Sequence, residues 1–316
     1  MNLMDIAAPR LATRGLTIVC TALLAAPALA VVRHPDAYES STGDPTGPQP
    51  TWFARWDDDA SAVAVGPNHI LTTRHQGGGV GSTVVFPTIN VPPGGNTGTY
   101  VATAETILGP DLRLVTISGT LSSYASVYDG PVLGSSIVLG GFGAQRVSDR
   151  VEGNNVLTGY ITNYNALTTV TQNNNPLLLG ANRVESEIID EGTPYLVADF
   201  DAPDQAPYSG VFLPPTNKVN HEASIGVADS GGGWFFNDNG TWKLVGVNAF
   251  ADLENNLSTA PFYTTRDVNG VLTDFPALVG AVDVRPSAGT INSLIPEPAT
   301  LSLLALGAMG LVRRRR

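Results

Sequence analysis

From about residue 51, short apolar runs alternate with turn-forming residues along most of the chain. The runs are rich in Val, Ile, Thr and Tyr, a composition and length that predict β-strands. Asn237, Asp238, Asn239 and Gly240 separate the runs WFF and WKLVGVNAF, which predicts a hairpin. The pattern predicts an all-β fold of antiparallel barrels or sandwiches. The clearest runs are SAVAV, HILTT, STVVF, TYVATAETIL, LRLVTIS, SSIVLGGFG, NVLTGYITNY and PYLVADF.

Three segments near the ends of the body depart from this pattern. Residues 31–50 are polar and become rich in proline, which predicts a surface arm. Residues 267–282, DVNGVLTDFPALVGAV, could form a short C-terminal helix, although Gly270 and Pro276 disfavour one. Residues 286–295 are interpreted as a linker.

Residues 1–30 have the features of a secretory signal peptide. Arginines precede the apolar segment GLTIVCTALLAAPALA, which ends on small residues at Ala28 and Ala30. We expect cleavage after Ala30, and the alternative interpretation is an N-terminal membrane anchor. The only cysteine, Cys20, lies in this segment, so the mature protein is expected to contain no disulfide.

Residues 296–316 have the layout of a sorting tail. Pro-Glu-Pro at residues 296–298 precedes an apolar stretch at residues 301–312 and four arginines at residues 313–316. This layout resembles the PEP-CTERM sorting signal of exported proteins in Gram-negative bacteria. The resemblance implies a tail held in the inner membrane, with its arginines on the cytoplasmic side, and processed by an exosortase. The alternative is an ordinary C-terminal anchor, and both interpretations predict a secreted or envelope-anchored body.

Charge and composition exclude several classes of function. The formal net charge of −11 at pH 7 argues against a nucleic-acid partner. The sequence contains no metal-ligand cluster, P-loop or dinucleotide fingerprint, so we expect no cofactor and no metal. Asp57, Asp58 and Asp59 form a run that could bind calcium, but a solvated acidic loop is the favoured interpretation.

The stretch VADSGGGWFF, residues 227–236, contains the best candidate for chemistry. Ser230 precedes Gly231 and Gly232, which allow a bend in which Oγ and nearby N–H groups point to the same place. Acyl transfer by a hydroxyl also needs a base that takes its proton and an acid that orients the base.

His75 and Asp111 are the candidates for these two roles. His75 follows an apolar run, and Asp111 begins another run between His75 and the serine. Two alternatives stay open for the base, which are His69 and a purely structural role for His75. Asp111 has its own alternative as a turn residue after Gly109 and Pro110.

Several motifs together resemble the trypsin-like serine proteases of the chymotrypsin fold. The sequence DSGG at 229–232 leads into LVGV at 244–247, and APFYT at 260–264 resembles the segment that lines the family's specificity pocket. The segments ILTTRH at 70–75 and DLRLV at 111–115 resemble those of the family's base and acid. The chain order His, Asp, Ser also agrees with the family.

The resemblance covers about residues 55–270 and implies a fold of two antiparallel six-stranded β-barrels, which we place at residues 51–285. It implies an exported serine endopeptidase that acts on protein or peptide substrates through an acyl-enzyme. In this interpretation Ser230 is the nucleophile, His75 the base and Asp111 the orienting acid. The N–H groups of Ala228 and Ser230 would form the oxyanion hole.

The chain departs from the family at two important places. Ala228 stands where the family has glycine, and Ser224 stands at the base of the specificity pocket, where trypsins have aspartate. We therefore expect a shallow, neutral pocket that accepts small or medium apolar side chains. The other predicted pocket residues are Ala249, Phe250, Ala251 and Pro261.

Two other functions remain as alternatives. An inactive homologue could serve as a cell-surface binding protein through the Asn-rich residues 150–222, and Ala228 favours this while the retained triad residues oppose it. An esterase is disfavoured because the GxSxG nucleophile elbow is absent around Ser230. The expected partners are a peptide substrate, signal peptidase and an exosortase, with membrane contact through the tail alone.

Overall fold

The computed structural model describes residues 29–33, 45–57, 59–86, 93–144, 146–152, 156–162, 177–201, 219–253, 259–261, 263–268 and 271–295. Most of the predicted signal peptide and the predicted tail lie outside these ranges. The all-β prediction is confirmed. The elements are β1 Leu29–Arg33, β2 Phe53–Trp56, β3 Ala60–Gly66, β4 His69–Thr73, β5 Thr83–Phe86, β6 Gly98–Gly109, β7 Leu112–Ile117, β8 Ser126–Val127, β9 Ser136–Gly141, β10 Arg146–Glu152, β11 Val156–Thr162, β12 Leu178–Arg183, β13 Ser186–Asp190, β14 Thr193–Asp199, β15 Ala223–Gly226, β16 Gly233–Asp238, β17 Thr241–Ala251, β18 Thr259–Pro261, β19 Tyr263–Val268, β20 Val271–Pro276, β21 Leu278–Asp283 and the helix α1 Ala288–Leu294.

The first half of the body is a closed barrel of six strands in the order β2-β3-β4-β7-β6-β5. Alternate residues of a strand point to opposite faces, so one set of side chains fills the barrel. Large rings of Trp56 and Phe86 pack there beside small residues such as Ala54, Ala62 and Ala64. This mixture of sizes fills the narrow interior without strain on the strands.

The second half is a sheet in the order β12-β9-β16-β17-β21-β14-β13, with β8 paired to β17. Its two edge strands, β12 and β13, are separated in the chain by Val184 and Glu185 alone. The Val184 N–H donates to Ser135 at 3.0 Å and the Glu185 N–H to Val197 at 2.9 Å. Ser135 lies just before β9 at one end of the sheet, and Val197 lies in β14 at the other end. Two consecutive residues therefore bond to both ends, so the sheet curls round on itself. Counted as one bent strand, β12 and β13 bring the path to six strands.

A shared core joins the two halves. Phe53, Val63 and Leu71 of the first barrel belong to the same buried cluster as Phe235 and Val247 of the second sheet. The rings of Phe53 and Phe235 lie 5.3 Å apart between centroids. The loops that connect strands at this seam are therefore held between two packed halves.

Three segments differ from the sequence-based expectations. The described residues of 267–282 form no helix, because they end β19, form β20 with Val271 paired to Val268, and then enter β21. The short C-terminal helix is present but lies later, as α1, within the predicted linker 286–295. The side chain of Ile291 in α1 packs into the shared core and so anchors the helix.

The predicted surface arm also begins inside the fold. β1 pairs with β15, and Val31 and Val32 are fully buried. Residues 34–44 of the arm lie outside the described ranges, as does residue 58 of the acidic run at 57–59. No helix in the described part of the chain has the length and apolar character needed to cross a membrane.

Candidate active site

The loop between β15 and β16 carries Ser230 at the seam of the two halves. Ser230 is buried, and its carbonyl accepts a hydrogen bond from the Ser61 N–H of β3 at 2.9 Å. Gly231 has a φ of +89°, a left-handed conformation that glycine adopts without steric cost. A Cβ at Gly231 would lie 1.9 Å from the Ser61 carbonyl oxygen, so this glycine is required for close approach as well as for the turn.

The pairing of β4 with β7 brings His75 and Asp111 together. Thr73 lies opposite Leu112 in this pairing, so the residues just after β4 meet the residue just before β7. His75 Nδ1 lies 2.7 Å from Asp111 Oδ2. The backbone N–H groups of Arg74 and His75 donate to the other carboxylate oxygen at 3.0 and 2.9 Å. These bonds hold the carboxylate so that it faces the imidazole.

The second nitrogen of His75 completes the contact with the nucleophile loop. His75 Nε2 lies 3.0 Å from Ser230 Oγ, so a continuous chain of hydrogen bonds joins Asp111, His75 and Ser230. The His75 side chain is 39% exposed and that of Asp111 15%. The acid is thus largely shielded from water, whereas the imidazole remains open to a molecule that approaches from solvent.

The two other histidines within the described ranges, His69 and His221, do not take part in this arrangement. His69 lies at the start of β4 opposite Gly66 and Thr116, and burial lowers its pKa. His221 is buried before β15 with a φ of +59°. His34 lies outside the described residues. Among the described histidines, His75 is the one that the structure places beside both Asp111 and Ser230.

Ser61 is a residue of this site that sequence reasoning missed. It lies in β3 and is completely buried. Its Oγ donates to the Ala228 carbonyl at 2.7 Å and accepts the Phe142 N–H at 3.1 Å. Its own carbonyl accepts a hydrogen bond from Thr72 Oγ1 at 2.9 Å. The available signal was a lone serine in the otherwise apolar run SAVAV, where a buried hydroxyl needs partners.

Asn248 supports the nucleophile loop from β17. Its Nδ2 donates to the carbonyls of Gly140 and Asp229 at 3.0 and 3.1 Å. Its backbone carbonyl accepts the Gly231 N–H at 2.9 Å, and its N–H donates to Gly232 at 2.8 Å. Asn248 is completely buried, so these bonds form in a low-dielectric interior that strengthens them.

The predicted oxyanion donors are available. Ala228 has a φ of +73°, so it adopts the left-handed conformation although it has a Cβ. Such a residue costs about 1–2 kcal/mol relative to glycine. Within the described residues, neither the Ala228 N–H nor the Ser230 N–H donates a hydrogen bond to another protein group. As far as the described part of the chain is concerned, both donors are therefore open to an incoming oxygen.

The carboxyl group of Asp229, next to Ser230 in the nucleophile loop, is fully buried. Burial raises its pKa well above the usual range of aspartate, and hydrogen bonds from the Gly226 and Gly143 N–H groups oppose that rise. The Gly226 bond to Oδ2 measures 3.1 Å. A Cβ on Gly141 would meet Oδ1 at 1.8 Å, so β9 must carry glycine at that position.

The structure brings some of the predicted pocket residues together. Ser224 lies in β15, which packs against β17 and β21, and β17 carries Ala249, Phe250 and Ala251. The Ser224 hydroxyl donates to the Ile225 carbonyl at 3.2 Å. In the β17–β21 pairing, Phe250 lies opposite Gly280 and Ala251 opposite Val279.

Pro261 does not lie beside these residues in the strand order, which corrects the sequence-based placement of this pocket wall. Pro261 ends β18, which pairs with β11 in a separate three-stranded sheet. The β19–β20 hairpin follows it, and the strand that flanks β17 is the later β21. The motif APFYT therefore lies before the strand that flanks β17, and Phe250 and Ala251 stand opposite Gly280 and Val279.

Three buried acids form a cluster that the sequence did not predict. Asp199, Asp201 and Glu222 each offer a carboxylate oxygen within 4.8 Å of the others. The Asp201 and Val219 N–H groups donate to the two oxygens of Glu222 at 2.5 and 3.1 Å. Burial and the neighbouring acids raise the pKa of Glu222 well above its usual range. Among the described residues these carboxylates are the ones that could hold a metal ion, because hard cations prefer such oxygens.

The stability of the folded protein should depend on the protonation of this cluster. Burial, reinforced by Glu185, raises the pKa of Asp199 to about 8. A raised folded-state pKa means that the folded state holds this proton while the unfolded state has lost it. We therefore expect the free energy of unfolding to fall as pH rises from about 4 to about 8, by at most about 1.4 kcal/mol per pH unit for one proton.

Urea denaturation across this pH range checks the expectation. Asp199→Asn should make the slope shallower, because asparagine carries no titrating proton, while Glu222 and Asp229 with their raised pKa values still contribute. The control Glu191→Gln changes an exposed turn residue and should leave the slope unchanged. An equal slope in wild type and Asp199→Asn would contradict the assignment to Asp199.

The chain matches one known family model. Residues 294–316 match the PEP-CTERM protein-sorting motif, which confirms the predicted tail. This motif is a C-terminal sorting signal for export in Gram-negative bacteria, recognised by exosortase-type processing, so the protein is secreted or anchored in the envelope. A search of curated proteins found no match to the chain. The matched residues cover the C-terminal end alone, so the match carries no information about the chemistry of residues 51–285.

Proposed function

We propose that this protein is an exported serine endopeptidase. The observation that carries the proposal is the continuous hydrogen-bonded chain from Asp111 Oδ2 to His75 Nδ1, and from His75 Nε2 to Ser230 Oγ, with distances of 2.7 and 3.0 Å. Nucleophile, base and orienting acid at such distances are the arrangement that activates a hydroxyl for acyl transfer.

The proposed reaction follows from these contacts. His75 Nε2 removes the Ser230 proton as Oγ forms a bond to the carbonyl carbon of a peptide. Asp111 accepts the Nδ1–H bond and stabilises the positive imidazolium, while the N–H groups of Ala228 and Ser230 stabilise the oxyanion. His75 then gives its proton to the leaving amine as the C–N bond breaks. A water molecule, deprotonated by His75, releases the acyl group and restores Ser230.

The inactive homologue remains the second candidate, and one observation favours it. The Cβ of Ala228 makes its left-handed conformation, with a φ of +73°, more costly than it would be for glycine. If Ala228 relaxed in solution, one oxyanion donor would turn away from the site. The hydrogen-bonded triad geometry supports the endopeptidase, because a binding protein needs no such alignment.

Labelling with a fluorophosphonate probe tests the proposed function. The probe phosphonylates a serine whose hydroxyl is activated by a neighbouring base. The purified full-length protein should be labelled, and Ser230→Ala should not be. The absence of Ser230-dependent labelling would overturn the proposal in favour of the inactive homologue.

We further propose that the enzyme prefers small or medium apolar side chains before the cleaved bond. Ser224 carries no charge, and the strand β17 packed against β15 contributes the apolar residues Ala249, Phe250 and Ala251. A peptide library should show cleavage after residues such as Ala or Val. Strong cleavage after Lys or Arg would contradict this preference.

A further inference from the structure

We propose that Ser61 is a positioning residue that holds Ala228 in its left-handed conformation and so keeps an oxyanion donor in place. The inference rests on the proposed function, since it concerns how that reaction's oxyanion would be bound. Ser61 lies outside the nucleophile loop, on a strand of the first barrel.

One residue bonds to both halves of the predicted oxyanion hole. The Ser61 N–H donates to the Ser230 carbonyl at 2.9 Å, and its hydroxyl donates to the Ala228 carbonyl at 2.7 Å. The peptide groups that follow both donor residues are therefore tied to β3. The same Oγ accepts the Phe142 N–H at 3.1 Å, so its hydrogen is left to be donated to the Ala228 carbonyl.

Burial makes this bond hard to replace. Ser61 is 0% exposed and Ala228 3% exposed. Without the hydroxyl, the Ala228 carbonyl would be left in a dry environment with an unsatisfied acceptor, which is unfavourable. Rotation of the Ala228 backbone toward a conformation that suits a residue with a Cβ would relieve the strain. The same rotation would turn the Ala228 N–H.

The Ser61 hydroxyl matters because residue 228 is an alanine. A glycine there adopts a φ of +73° at no steric cost and needs no external support. Alanine does not, so the strain that its Cβ introduces has to be balanced by contacts around the loop. The Ser61 hydroxyl is a buried side-chain contact to the Ala228 carbonyl itself. Ser61 and Ala228 are thus expected to be energetically coupled.

A cycle of Ser61→Ala, Ala228→Gly and the double variant tests this coupling. We expect Ser61→Ala to lower kcat by about 10- to 100-fold with little change in KM, since loss of a whole oxyanion donor costs about 100- to 1,000-fold. A peptidyl boronic acid, which mimics the tetrahedral oxyanion, should bind more weakly by a similar factor. Ala228→Gly supplies the second background, and its own kcat is the reference against which the double variant is compared.

Rescue in the double variant separates positioning from a general structural role. With glycine at 228 the hydroxyl is no longer needed, so the double variant should regain kcat to within about 3-fold of Ala228→Gly. A loss of kcat that is equal with alanine and with glycine at 228 would overturn the proposal, and so would an unchanged kcat in Ser61→Ala. Ser123→Ala is the control, because it removes a hydroxyl that accepts the Trp52 Nε1–H at 2.7 Å away from the nucleophile loop.

Two further measurements keep the proposal testable if the first variant or the proposed function fails. If Ser61→Ala does not fold, Ser61→Cys keeps a similar volume with a weaker donor and should give an intermediate kcat. If the wild type shows no Ser230-dependent labelling, the proposed function is wrong. The backbone chemical shifts of Ala228, read by NMR, then test its conformation alone. They should move away from the values of a left-handed residue in Ser61→Ala and keep them in Ser123→Ala. Unchanged shifts in Ser61→Ala would overturn the positioning role.

Discussion

Replacement of Ser230 by alanine should lower peptidase activity by about 10,000-fold or more. The substitution removes the only atom that can form the acyl-enzyme, while the chain of contacts behind it remains. Asp111→Asn should cost about the same, because an amide cannot favour the His75 tautomer with a proton on Nδ1. Initial rates on a peptide amide substrate, measured as kcat/KM, give the comparison.

The three residues should act as one unit. Once Ser230 is absent, further replacement of His75 or Asp111 has no catalytic step left to slow, so multiple variants should be no less active than Ser230→Ala. His69→Gln is the control, since His69 lies at the far end of β4 from His75. Near-normal activity of Ser230→Ala would contradict the proposed function directly. If the losses of kcat/KM from single triad substitutions multiplied in the combined variants, the prediction that the three residues act together would be wrong.

Gly231→Ala should strongly destabilise the nucleophile loop and abolish activity. The new Cβ would lie 1.9 Å from the Ser61 carbonyl oxygen and 2.3 Å from Thr72 Oγ1, at a φ of +89°. Backbone strain and overpacking together should lower the free energy of unfolding by about 2–5 kcal/mol. Ser230 would also move, because Gly231 and Ser61 cannot keep their present separation.

Gly240→Ala is a matched control for this substitution. Its φ of +90° is nearly the same, but a Cβ at Gly240 meets nothing within 4 Å. Gly240→Ala should therefore cost about 1–2 kcal/mol from backbone strain alone and leave kcat unchanged. Urea denaturation and kcat of both variants give the measurement. If Gly231→Ala and Gly240→Ala lowered the free energy of unfolding equally, the close approach of Gly231 to Ser61 would not contribute to stability.

The strands and the candidate triad could be predicted because their signals are local. The short runs HILTT and LRLVTI, rich in Ile, Leu, Val and Thr, predict single strands, and both form strands as expected. His75 and Asp111 flank those strands, so the pairing of β4 with β7 brings them together without further information. The PEP-CTERM motif is similarly local, and the match at residues 294–316 confirms it.

The misplaced elements show where local signals fail. Residues 267–282 contain both helix-compatible spacing and a hairpin, and pairing with β14 and β17 decided in favour of strand for β21. The motif APFYT matched a family segment by composition, but Pro261 pairs with β11. The β19–β20 hairpin separates Pro261 from the strand β21 that flanks β17. A short motif contains no information about such an insertion.

The sequence by itself determined the all-β class, the sorting motif at the C-terminus and the residue types of a candidate hydroxyl-based site. Those features depend on residue order and on neighbours within a few positions. Only the tertiary structure decided that His75 rather than His69 faces Ser230, that Asp199, Asp201 and Glu222 share one buried site, and that Ser61 bonds to Ala228. Each of these facts depends on contacts between distant segments, because a hydrogen bond or a buried charge is set by position in space and leaves no periodic trace in the chain.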